Sequence, residues 1–247
     1  EPLGMSLAPV VIGAGGVLLW AFVQWQRRRE RADRDPLVHL DLVRVPTLRA
    51  GLIGLFTQNL VLMGVFFVVP LYLQLVLGLD ALDTGIKMLP ISVAMLVASA
   101  AGSRLSRSMS VRAIVRTGLA TAVLAILVLL LTVRPDLADG MFAVAMALLG
   151  VGMGLMVSQL GNVVQSSVDA SGRSEAGGLQ YTGQQLGSSL GVALIGAIVL
   201  TGLAAVFTSA VTDDPRVSAE ASQQVGVAVE SGLDFLTTAQ VADAVAS

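Results

Sequence analysis

The chain contains no cysteine, which excludes disulfides and thiolate metal sites and leaves the redox compartment unspecified. It has one histidine, His39, in a charged stretch beside Asp41, so a multi-histidine metal site within the chain is excluded as well. Aromatic residues make up 4 % of the chain and charged residues 13 %, where soluble domains carry roughly 25 % charge. No His-Glu-x-x-His, phosphate-binding Walker loop or Gly-x-Ser-x-Gly is present, so nothing points to an enzyme or an ATPase. The net charge of −2 gives no pointer to nucleic acid, and neither a nucleic-acid partner nor a cofactor is expected.

The charge that exists is placed so unevenly that six long windows hold none: Pro2–Gln26, Ala50–Leu79, Met88–Ser103, Thr117–Val133, Gly140–Val168 and Ala176–Thr212. A charged side chain at a bilayer centre costs about 2.5–3.5 kcal/mol on insertion scales, so membrane spans exclude it. Crossing the hydrocarbon core takes about 20 mostly apolar residues. Four windows reach that length, and the two shorter ones are extended by apolar flanks at Thr84–Leu89 and Val111–Val115. With 55 % hydrophobic residues and a mean hydropathy of +0.81, the expected fold is an all-α integral membrane protein with six transmembrane helices. The first residue is Glu1, and no signal peptide with a basic leading region precedes the first window, so a processed chain or a piece of a longer one is expected.

Loops between successive spans alternate sides, and arginine and lysine collect on the cytoplasmic side. The loop from Arg27 to Arg49 holds seven arginines, that from Arg104 to Arg116 four, and the last inner loop one, Arg173. The opposite side receives Lys87, Arg134 and Arg216, together with Asp80, Asp83, Asp136, Asp139, Asp213 and Asp214. Both ends are thereby predicted outside a cell membrane. Trp20 and Trp25 at the inner end of the first helix, and Tyr72 near the outer end of the second, suit the interfacial aromatic belts. The tail after Phe207 has no run long enough to span; a short helix around Ser218–Leu236 and a mobile tail are equal expectations for it.

In the sixth helix Gly183, Gly187 and Gly191 recur every four residues, as do Gly150, Gly154 and Ser158 in the fifth. That spacing puts small residues on one face and lets a neighbouring helix approach closely, whether as static packing or as a moving interface. In the second helix Gln58 and Asn59 lie about a third of the way in, and Asn59, Met63, Phe66, Pro70 and Gln74 share one stripe. Polar groups at that depth face a bundle interior or a watery cavity. Methionine and aromatic lining suits a soft apolar ligand; interhelical hydrogen bonding is the competing reading. Gln159, Asn162 and Gln165, with Gln184 and Gln185, fall toward the inner ends, where headgroups tolerate amides. Pro70 and Pro90 are expected to kink their helices. No Asp or Glu lies in the middle of any window, so the carboxylate that a proton relay needs is not found there.

The run Pro36-Leu-Val-His-Leu-Asp-Leu-Val-Arg44, a helix ending Val69-Pro-Leu-Tyr-Leu-Gln74, then Gly78-Leu-Asp-Ala-Leu-Asp-Thr-Gly85 and Leu89-Pro90 resembles the fourteen-helix drug:proton antiporters of the major facilitator superfamily. Gly150-Val-Gly-Met-Gly154, Glu175-Ala-Gly-Gly178 and Gln185-Leu-Gly-Ser-Ser-Leu-Gly-Val-Ala193 continue the resemblance in order. It implies that residues 1–49 are an extra central helix with an arginine-rich cytoplasmic linker. Residues 50–207 are then five helices of the carboxy-terminal transporter half, and 208–247 a polar external tail. An amino-terminal half that supplies the proton-coupling carboxylates would be the missing partner, beside the lipid bilayer and a small-molecule substrate. The family's loop motif, Gly-x-x-x-Asp-Arg-x-Gly-Arg, survives here as Gly102 and Arg107, with Ser106 and Met109 replacing the Asp and the second Gly. The resemblance implies proton-coupled drug efflux by alternating access, with Gln58, Asn59, Met63, Phe66 and Phe67 on the substrate side. Gly102, Arg107, Gly150, Gly154, Gly183, Gly187 and Gly191 would then serve gating or packing. The alternative is a membrane scaffold whose amides and glycines only pack helices.

Overall fold

A computed structural model describes residues 8–31, 39–132 and 139–213, and among these residues there is no strand. The helices are α1 (Ala8–Arg31), α2 (Pro46–Leu75), α3 (Ala81–Leu105), α4 (Val111–Thr132), α5 (Asp139–Ser166) and α6 (Arg173–Asp213), with short 3-10 turns at Leu40–Arg44 and Ala170–Gly172. The helices α2 to α6 are long and apolar enough to cross a membrane. The 24 residues of α1 form a sixth, largely exposed helix. The expected helix at Ser218–Leu236 lies outside the described residues, and α6 runs six residues past the boundary expected at 207.

Helix ends follow local chemistry. Pro46 opens α2 at its first turn, where no N–H is needed, and the preceding Val45 is extended (φ −64°, ψ 115°), as a residue before proline prefers. The turn into α3 closes with the Leu79 N–H donating to the Leu73 carbonyl at 3.1 Å, across Gly78 at φ +67°. That left-handed conformation is the reason for a glycine at this position. Asp80 then caps α3, its side chain accepting from the Asp83 N–H at 2.7 Å. Pro70 and Pro90 lie inside α2 and α3 without ending them.

The chain divides into two compact units, 1–191 and 192–247. In the first, α5 is the hub and packs most extensively on α3, then α4, then α2. Half of its spanning segment is buried, against 22 % or less for each of the other spans. One cluster joins Val69, Leu73, Ile91, Ala122, Phe142, Met146, Leu149 and Met153, and a second joins Leu48, Leu55, Met156, Leu160, Val164 and Ala176. The outward faces of α3 and α4, including Val93, Leu96, Val97, Leu127, Leu130 and Leu131, are more than half exposed. A surface of that kind suits lipid, which is as apolar as the leucines facing it. In the second unit the described part of α6 is likewise apolar and exposed at Leu194, Ile198, Leu200 and Val206.

Candidate functional site: a polar stripe on α2 between glycine seams

Between lipid-embedded helices there is little hydrophobic drive, so association depends on close packing and interhelical hydrogen bonds. The bundle uses one construction twice. A Cβ at Gly150 or Gly154 of α5 would collide with the carbonyl oxygen of Ile91 or Met95 of α3. A Cβ at Gly187 or Gly191 of α6 would likewise collide with the carbonyl oxygen of Phe56 or Leu60 of α2, and would stand 3.0 Å from each carbonyl carbon. Glycines four apart thus receive carbonyls four apart, and the backbones meet directly. Gly183 differs, since a Cβ there would find only the Leu52 oxygen at 3.8 Å. The sequence reading missed a third seam, in which a Cβ at Gly152 of α5 would come within 2.6 Å of the Gly118 oxygen and 2.7 Å of the Ala122 nitrogen of α4. Its signal was present in the Gly118/Ala122 spacing.

Two buried glutamines tie α5 to its neighbours. Gln159, 1 % exposed, donates from Nε2 to the Gly102 carbonyl of α3 at 2.9 Å and to Ser158 Oγ at 3.1 Å. Its position is the bundle interior, not the headgroup layer expected from sequence, because its side chain leaves α5 on the flank that faces α3. Gly102 lies at the same crossing, where a Cβ would collide with Ser158 Oγ. Arg107 is exposed in the turn after α3, and among the described residues its guanidinium makes no ion pair.

Gln58, 2 % exposed, donates from Nε2 to the Met153 carbonyl of α5 at 3.2 Å, and its Oε1 is buried without a partner among the described residues. The carbonyl fixes the orientation of the amide, since a flipped Gln58 would set two acceptors against each other. Asn59 turns the other way, is half-buried, and donates from Nδ2 to the Leu55 carbonyl of its own helix at 2.9 Å. Met63, half-buried, and Phe66, 39 % exposed, continue the Asn59 stripe at helical spacing; Phe67, 37 % exposed, stands beside it. The structure therefore groups Asn59, Met63 and Phe66, and sets Gln58 apart as a tie to α5.

Two cavities lie elsewhere. One of 440 Å³ beside the starts of α3 and α5 is lined by Asp83, Lys87, Pro90, Asp139 and Phe142, and the Lys87 Nζ–Asp139 Oδ1 pair (2.5 Å) joins α3 to α5 there. One of 470 Å³ beside the end of α5 and the start of α6 is lined by His39, Ser166, Ser167, Asp169 and Glu175. At its edge Glu175 of α6 accepts from the His39 backbone N–H at 2.7 Å and meets His39 Nδ1 at 2.9 Å, which holds the stretch before α2 against the start of α6. Among the described residues no cluster of His, Asp and Glu is arranged to hold a metal ion.

The sequence of residues 4–192 matches the family model of the Major Facilitator Superfamily. The chain belongs to that superfamily. It is a multi-pass membrane protein of a transport family, as its apolar helices require. It is 30 % identical over 208 residues (83 % of the chain, 36 % of the relative) to a probable actinorhodin transporter of Streptomyces coelicolor. It is 31 % identical over 215 residues (86 % and 39 %) to a tetracenomycin C resistance and export protein of Streptomyces glaucescens. It is 25 % identical over 242 residues (97 % and 47 %) to the multidrug efflux pump LfrA of Mycolicibacterium smegmatis. The chain thus spans between about a third and a half of the length of these relatives. No solved structure matches it.

Proposed function

We propose that this chain is the carboxy-terminal part of a proton-coupled efflux transporter of the fourteen-helix branch, exporting drugs or other small amphipathic compounds by alternating access. The carrying observation is the similarity, over more than four-fifths of the chain, to superfamily members named for antibiotic transport and export. In this reading residues 1–49 form an extra central helix with its cytoplasmic linker, 50–207 five helices of the carboxy-terminal half, and 208–247 an external tail. Both ends face outside the cell membrane, and no catalysis is involved.

Asn59, Met63, Phe66 and Phe67 line the substrate side. An amide at the inner end of a stripe that becomes aromatic outward gives a polar anchor followed by a soft apolar wall, the combination an amphipathic compound needs. Gln58 holds this stripe in register against α5, and its free Oε1 is an acceptor available to a ligand once the helices part. The seams at Gly187 and Gly191 let α2 and α6 move as a pair when the two halves rock about a midplane site. Among the described residues every Asp and Glu lies at a helix end or in a connection, so the coupling carboxylate belongs to an amino-terminal half.

The test is dye efflux from cells expressing the complete transporter. Asn59→Ala and Phe66→Ala should each raise the substrate concentration needed for half-maximal efflux, about 3- to 30-fold for a loss of about 0.6–2 kcal/mol. Unchanged concentrations in both variants would remove the proposed site, and absence of energy-dependent efflux from the parent would remove the function.

A further inference from the structure

The inner end of α1 carries a constellation that neither the seams nor the α2 stripe uses. Leu18, Phe22, Trp25 and Arg29 follow one another at spacings of four, three and four, which aligns them on one face of the helix. That face is open: Leu18 is 70 % exposed, Phe22 and Trp25 each 43 %. The Phe22 and Trp25 rings are 6.4 Å apart, and the Arg29 guanidinium carbon lies 5.1 Å over the Trp25 ring. A cation held on an aromatic face in this way is fixed at the depth of the ring, and tryptophan belongs to the membrane interface. Arg29 Nε is buried with no acceptor among the described residues. Arg27 and Arg28 beside it are exposed, and among the described residues none of the three makes an ion pair. Arg31 adds a fourth positive charge within five residues, against the single Glu30.

Guanidinium groups without carboxylate partners, next to an apolar and aromatic flank, complement an anionic phosphate that carries an apolar tail. We propose that the inner end of α1 is a binding site for an anionic phospholipid. The phosphodiester is held by Arg29 on that face, with the positive charge of Arg28 and Arg27 around the same turn, and an acyl chain lies along Trp25, Phe22 and Leu18. The apolar stripe decides for a lipid over a soluble phosphate, because it continues from the arginines toward the bilayer centre, where only an acyl chain can follow it.

The chain contains only two tryptophans, Trp20 and Trp25, both on α1, so their fluorescence reports on this helix alone. The 247-residue chain is reconstituted in phosphatidylcholine vesicles that carry either brominated phosphatidylglycerol or brominated phosphatidylcholine at equal mole fraction. Brominated phosphatidylglycerol should quench with roughly tenfold higher apparent affinity. The preference should fall to near unity in Arg27→Gln/Arg28→Gln/Arg29→Gln, and partway in Arg29→Gln alone, with helix content and monodispersity unchanged. The single variant keeps the test decisive if the triple one folds poorly. Equal quenching by the two lipids in the parent chain would overturn the proposal, as would a preference that survives the substitutions. Loss of the preference on adding soluble glycerol phosphate would assign the site to a free anion and overturn it as a lipid site.

Discussion

A single methyl group separates the tight glycines from the loose one. At Gly187 an added Cβ meets the Phe56 backbone, which cannot rotate away as a side chain would. At Gly183 the nearest atom stands at ordinary contact distance, 3.8 Å. Gly187→Ala should therefore destabilise the protein by about 1–3 kcal/mol, the usual cost of overpacking. Gly183→Ala should be neutral or gain up to about 1 kcal/mol from a less flexible unfolded chain. Thermal unfolding in detergent compares the two, and equal behaviour would mean that the α6 seam does not bear on α2 as described. Sequence spacing alone treats both positions alike, because it records which face a glycine is on and not how near the neighbouring backbone comes.

The helices were legible because charge is excluded from their middles. The bounds of α2 and α5 lie within four residues of the uncharged windows, while α3 and α4 begin seven and six residues earlier, through charged first turns. Which helix would be central was not legible. All five spans are similarly apolar, yet α5 has half of its span buried, with Gly150 and Gly154 against the α3 backbone and Gly152 against α4. Gln159 adds a directed bond to the α3 face. Interhelical hydrogen bonds in membrane bundles average about 0.6 kcal/mol and reach about 1.7, so Gln159→Leu should cost an amount in that range while the seam keeps the helices in place. Thermal unfolding measures this loss. A loss well above that range would show that the amide, and not the glycine packing, holds α3 to α5.

At the scale of the whole molecule, sidedness is the property that charge placement sets. In the proposed topology twelve basic residues fall on the cytoplasmic side and three outside. The chain has no native cysteine, so single cysteines at Ser108, Ser171 and Ala81, all exposed in the structure, give a clean readout in intact cells. The first two should resist a membrane-impermeant thiol reagent and the third should react. Labelling at Ser108 from outside would invert the proposed topology.

The sequence by itself determined that the chain lives in a membrane, where its helices run, and which superfamily it belongs to. Each of these follows from charge exclusion and residue order, which need no knowledge of neighbours. The tertiary structure decided which polar side chains face inward. Gln58 and Asn59 are adjacent and chemically alike, yet one reaches the Met153 carbonyl of α5 and the other only its own helix. A step of one residue turns a helical side chain by about 100°, so the depth of the pair was readable from the chain, but the partner of each depended on where α5 came to rest.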